Sequence, residues 1–98
     1  MNEQVLGLIR KLLETANVPV WVLEHPEIRE AFGLAWHLSD GSMGLFSDLA
    51  SKVIEGMLEM GDGYGKRLSD EVTMIRIAKE MKRRGMEKEL AEVIDATL

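Results

Sequence analysis

Arg76, Lys79 and Arg83 stand three and four residues apart, a spacing that places three cations on one face of a helix. Lys82 and Arg84 flank them, Lys88 follows a glycine at position 85, and Lys66 and Arg67 come just before. Eight of the twelve basic residues thus fall between positions 66 and 88, where the net charge is +4. Residues 1–65 carry −6 and residues 89–98 carry −3, for −5 overall. A basic segment on an acidic chain is the signature of a contact with an anion. Two helices meeting at Gly85 could act as a helix-turn-helix on nucleic acid, with Arg76, Lys79, Lys82, Arg83, Arg84 and Lys88 as the contacts. The plainer account is that cations late in a helix complement its dipole. Glu80 and Glu87 also interrupt the patch, and an aromatic content of 5% is low for a nucleic-acid binder.

The stretch GDGYGKR, residues 61–67, raises phosphate or metal binding. A Walker loop needs G-x-x-x-x-G-K-[ST] after a strand. Here Gly61 and Gly65 are one residue too close, Arg67 replaces the Ser/Thr, and the preceding segment has helical periodicity. A dinucleotide fingerprint fails for want of a βαβ unit. A calcium loop needs oxygen ligands at alternate positions, and those around Asp62 are glycines. The remaining reading is a hinge: Gly61 ends one helix, Gly63 and Gly65 supply positive φ, and Ser69 or Asp70 caps the next. Tyr64, flanked by glycines, packs back on the bundle or is a contact.

Other chemistry is thin. The absence of cysteine excludes disulfides, thiolate metal sites and cysteine nucleophiles. The only histidines, His25 and His37, have Val22 and Leu34 three residues earlier, so the Glu-x-x-His pairs of a di-iron bundle are missing. Asp40 stands within hydrogen-bonding reach of His37 on a helix. No serine lies in a nucleophile-elbow context. Glu27 with Glu30, and Glu55 with Glu59, read as solvated faces, because acid–base work needs burial to move a pKa. No catalytic residue, cofactor or metal ligand is assigned; a small enzyme or metal-binding bundle is the third of three functional readings.

The elements that would position these residues are helical. Asn2 caps a helix to about Ala16, with Val5, Ile9 and Leu12 on its inner stripe and Asn17 and Pro19 ending it. Residues 19–24 are apolar and β-branched, yet no second strand exists to pair with them, so they form a short helix or an extended connector. Pro26 opens a helix to Ser39 that buries Ile28, Phe32, Ala35 and Trp36. Ser42 caps a helix from Met43 to Met60, apolar over so wide an arc that it must be central. A helix to Arg84 should bury Val72, Ile75 and Ala78, with Met74, Ile77 and Met81 beside them. Gly85 stops it, and a last helix runs from Glu87 to Thr97. Gly7, Gly33 and Gly56 fall inside helices, where each costs ~1 kcal/mol relative to Ala; close helix approach is one reason to keep them.

The expectation is an all-α bundle of four to five helices in a single domain of 98 residues. No apolar run reaches the ~18 residues of a membrane span, and the N-terminus lacks a signal-peptide pattern, so a cytoplasmic protein with no membrane partner is expected. The leading functional reading is a protein–protein interaction or adaptor domain, including self-association as a homodimer. Six methionines in the last three helices exceed what one small core should hide, and methionine also makes adaptable contact surfaces; the alternative, of equal weight, is that all of them fill the core. The candidate interface comprises Trp21 and Trp36 with the stripe Leu90, Val93, Ile94 and Leu98.

Overall fold

The computed structural model of the chain describes residues 2–63 and 71–97. It contains α1 (Glu3–Thr15), a 3-10 helix (Val20–Glu24), α2 (Pro26–Ser39), α3 (Met43–Gly63), α4 (Glu71–Arg84) and α5 (Glu87–Thr97), with no strand among the described residues. The all-α expectation holds, and the ambiguous apolar connector is the 3-10 helix. Tyr64, Gly65, Lys66, Arg67, Ser69 and Asp70, and with them much of the expected hinge, lie outside the described residues.

The helix ends follow local chemistry. The side-chain oxygen of Asn2 accepts the Val5 N–H at 2.9 Å, capping α1. At the other end Asn17 is left-handed, with φ 61°. The N–H groups of Asn17 and Val18 then donate to the carbonyls of Glu14 and Leu13, the paired bonds of a Schellman motif. Val18 and Leu13 are both buried, which supplies the apolar contact that accompanies it. Pro26 occupies the first turn of α2. Asp40, with φ 50°, ends that helix, and Ser42 Oγ accepts the Leu45 N–H at 3.2 Å to start α3.

Helix α3 is central: it packs against α1, α2, α4 and α5. One continuous core joins Val5, Ile9 and Leu13 of α1, Phe32 of α2, Leu49, Val53 and Met57 of α3, Ile77 of α4 and Leu90 of α5. The side chains of Trp21 and Trp36 pack against it without being enclosed.

Three expectations need correction. First, α3 continues through Gly61 to Gly63 rather than stopping at Met60. A glycine costs a helix only ~1 kcal/mol, and burial of Met60 and Gly61 in the last turns offsets it. Second, the core does hide the methionines: Met57, Met60, Met74, Met81 and Met86 are buried, and Met43 packs against the core edge. Flexible thioethers fill the irregular gaps where α4 and α5 meet α3. Third, α4 is rotated from its expected register. Thr73, Met74, Ile77, Ala78 and Met81 face inward, whereas Val72 and Ile75 are exposed. Continuing the Val72–Ile75 stripe along the helix would bring Lys79 and Lys82 inward, and burying unpaired ammonium groups costs far more than two apolar residues gain. The stripe 74, 77, 78, 81 has no charge to bury, so it wins.

The α4–α5 turn ties the last helix to the core. Gly85, with φ 76°, donates its N–H to the Met81 carbonyl at 2.9 Å and ends α4. Met86 is also left-handed, at φ 57°, a conformation that is uncommon for a residue with a Cβ. Its buried side chain reaches Gly56, where a Cβ would stand 3.2 Å from the Met86 Cε. Close approach therefore accounts for Gly56. Gly7 and Gly33 have nothing within 4 Å of such a Cβ.

Candidate functional site

The outward side of α4 gathers the basic residues expected from the sequence and two apolar ones that were not. Helical geometry sets Val72, Arg76, Lys79 and Arg83 in one row, directly opposite the core-facing residues, with Ile75 and Lys82 alongside. All six are exposed. Val72 is 60% exposed and Ile75 is 42% exposed, values high enough to leave a surface patch where a core was expected. The row runs from residue 72 to residue 83, about 16 Å at the helical rise. It is apolar at its N-terminal end and cationic at its C-terminal end.

The charges on this face are not equivalent. Arg83 forms a fork on Glu80, with Nη2 at 2.6 Å from Oε1 and Nε at 3.1 Å from Oε2. That guanidinium, by its hydrogen bonds and its charge, holds the Glu80 carboxyl below the ordinary value of 4.5, with Arg84 adding to the effect. Arg84 reaches across the Gly85 turn to Glu89 at 3.3 Å, linking α4 to α5. Lys79 and Lys82 form no ion pair among the described residues. Lys82 also lines a hollow of about 190 Å³ with Glu27, Glu30 and Met86. Lys88 is exposed on α5, beyond the turn, and is not in the α4 row. The proposed nucleic-acid set is thus only partly brought together: Arg76, Lys79, Lys82 and Arg83 share a face, whereas Arg84 and Lys88 belong to the turn and α5.

The second expected surface does not assemble in the way anticipated. Leu90 is wholly buried within its own chain and belongs to the core, not to an interface. The α4–α5 turn delivers it there, so the last helix needs no second copy to cover that residue. Val93 and Ile94 are half-buried against the same core, and Leu98 lies outside the described residues. Trp21 and Trp36 are half-buried and occupied locally. The Trp36 ring meets Phe46 edge-on at 5.4 Å, and the Trp21 ring lies tilted 6.2 Å from that of His25.

A third surface is a shallow apolar groove between α1 and α3, about 270 Å³, lined by Leu12, Ala16, Ile54 and Leu58 among others. Leu58 is 38% exposed there. No group of three or more His, Cys, Asp or Glu is arranged to hold a metal ion among the described residues. The His37 side chain is exposed and makes no hydrogen bond to the Asp40 carboxylate; Asp40 instead turns the chain after α2, its N–H donating to the His37 carbonyl at 3.3 Å. No helix among the described residues is long and apolar enough to cross a membrane.

These features define an all-α bundle, with five α-helices among the described residues and one two-faced helix at its edge. Comparison of the chain with protein-family models, with curated proteins and with solved structures finds no match.

Sequence reading found the cations of α4 but missed Val72 and Ile75 as surface residues. The signal was present in the register: the apolar stripe that begins at Val72 and Ile75 runs into Lys79 and Lys82.

Proposed function

We propose that the chain is a protein-binding helical domain whose contact surface is the outward face of α4. The observation that carries this reading is the exposure of Val72 and Ile75, large apolar side chains set side by side on a helix whose opposite face already fills the core. The exposed apolar area of these two side chains gains free energy only when a partner covers it. The same observation counts against a phosphate backbone as the ligand, because such a chain would leave Val72 and Ile75 uncovered, although Arg76 stands beside them. Homodimerisation through the last helix loses its main support, since Leu90 is satisfied within the chain.

Site-specific photo-crosslinking tests the reading. A crosslinker placed at Val72 should give discrete adducts with protein in extracts of the native cells, and Ile75→Ser should remove them. A crosslinker at Gly7, on exposed α1 surface, should give none of the same adducts. Adducts that are equal at both positions, or indifferent to Ile75→Ser, would reject α4 as the contact surface.

Nucleic-acid binding is the second reading, favoured by the shared face of Arg76, Lys79, Lys82 and Arg83. It requires steeply salt-dependent binding to random DNA or RNA that weakens uniformly as those cations are replaced.

A further inference from the structure

We infer that the partner of α4 is an acidic amphipathic helix, lying antiparallel to α4 with carboxylates in its first turns and apolar residues after them. The inference rests on the proposed contact surface and adds the chemistry of what occupies it. Its basis is the order of side chains along the face. Positions 72, 75, 79 and 82 recur at the three-and-four spacing along which one helix packs on another. They read Val, Ile, Lys, Lys. A second helix laid on this face must bring apolar groups to Val72 and Ile75 and anions to Lys79 and Lys82, with Arg76 standing between the two halves.

Charge supports an acidic partner. Helix α4 carries five basic and two acidic residues on a chain whose net charge is −5. Glu80 is engaged by Arg83, and Glu71 stands at the helix start. Lys79 and Lys82 form no ion pair among the described residues; Lys79 stands in the outward row and is the ammonium group best placed to receive a partner's carboxylate, with Lys82 beside it at the rim of the hollow it shares with Glu27 and Glu30 of α2. Orientation follows from the dipoles. Carboxylates are most stable in the first turn of a helix, and antiparallel helices set the N-terminus of one against the C-terminus of the other. A partner whose acidic first turns meet Lys79, Lys82 and Arg83 satisfies both conditions. Its later turns then lie over Val72 and Ile75.

A second copy of α4 fits poorly. Paired parallel, it would set Lys79 and Lys82 against their own equivalents. Paired antiparallel, it would set them against Val72 and Ile75. Each arrangement leaves ammonium groups facing like charge or hydrocarbon.

The experiment titrates the full ¹⁵N-labelled chain with a designed helical peptide of about 16 residues, long enough to cover the row. The peptide has Glu and Asp at its facing positions in the first two turns and Leu and Ile at those that follow. A second peptide has the same residues in the reverse order, and a third has Lys in place of the acids. A random single-stranded oligonucleotide is the fourth ligand. Amide shifts should concentrate on residues 72–83, with a Kd of order 10–100 μM for the first peptide. Val72→Ser with Ile75→Ser should weaken it about tenfold or more, by loss of the buried apolar contact. Lys79→Glu with Lys82→Glu should weaken it similarly and transfer preference to the Lys peptide. All four positions are exposed, so circular dichroism should show both variants folded. Absence of shifts at ~1 mM peptide, or shifts confined to the α1–α3 groove, overturns the inference. Equal binding of the reversed peptide overturns the orientation, and tighter oligonucleotide binding that ignores Val72 and Ile75 overturns protein as the ligand class. If the Val72 crosslinks persist while the acidic peptide fails, the contact surface stands and only the partner's chemistry is wrong.

Discussion

The register of α4 decides which residues are surface, and a pair of substitutions two positions apart tests it. Ile77 is fully buried, whereas Ile75 is 42% exposed. Ile77→Ala removes a core side chain in contact with the rest of the bundle and leaves a cavity, which costs about 2–5 kcal/mol. Ile75→Ala leaves no cavity, because the lost atoms are replaced by water. Roughly half of its burial is forfeited, ~0.5–1 kcal/mol, and the higher helix propensity of Ala returns up to ~0.5 kcal/mol. The two variants should therefore differ by about 2 kcal/mol or more, although each deletes the same atoms from the same helix. In a chain of this size each kcal/mol shifts Tm by roughly 4–8 °C. Ile77→Ala should melt at least ~8 °C below Ile75→Ala, with the latter within a few degrees of the unaltered chain. Urea denaturation followed at 222 nm gives an independent reading, in which the midpoint falls at constant m. Equal losses, or a larger loss at Ile75, would mean that Val72 and Ile75 face the core and that the proposed contact surface does not exist.

The other predictions concern separate parts of the molecule. Gly7→Ala should stabilise the chain by up to ~1 kcal/mol, because α1 gains helix propensity and the new Cβ meets nothing within 4 Å. Gly56→Ala should gain less or destabilise, since Met86 Cε must move; a Tm increase equal to that of Gly7→Ala would show that the approach of α5 to α3 is looser than 3.2 Å implies. The depressed Glu80 pKa gives a contribution to stability that is fully present above the ordinary value of 4.5 and is lost as pH falls through the lower folded value. Arg83→Gln should remove that acid-side sensitivity, and because the pair is exposed, added salt should shrink it as well. Leu90→Ser should lower stability to an extent independent of protein concentration, as expected for a core residue; a concentration-dependent Tm would return Leu90 to an interface.

Much of the architecture is legible in the chain because each helix end has its own local cause. Asn2 caps, Asn17 turns and Gly85 stops through hydrogen bonds made within a few residues, and Pro26, with no N–H to leave unpaired, starts α2 at its first turn. The central role of α3 is legible too, because its apolar residues cover more than one side. What is not legible is any choice set by tertiary packing. Two apolar registers are written on α4, and only the charges further along the helix, weighed against burial in α2 and α3, choose between them. Met86 is similar: a left-handed methionine has no local signature, and its position follows from the space above Gly56. The candidate site was accordingly half visible. Its cations are plain in the charge distribution, whereas its apolar half depends on the rotation of the helix.

That rotation links stability to function. Turning α4 to hide Val72 and Ile75 would bury Lys79 and Lys82, and turning it to expose all of its lysines leaves two large aliphatic side chains in water. The fold takes the second course because exposing hydrocarbon costs a few kcal/mol at most, whereas burying unpaired ammonium groups costs considerably more. An edge helix whose outward face is apolar at one end and cationic at the other is therefore a consequence of the sequence, not a choice among equals. The bundle's own core depends on Ile77 in a way that it does not depend on Val72 and Ile75, which lie outside it. The case for a partner rests on that difference: Val72 and Ile75 are the large aliphatic residues on α4 that the folded chain leaves in water, and they adjoin the lysines with no ion pair of their own.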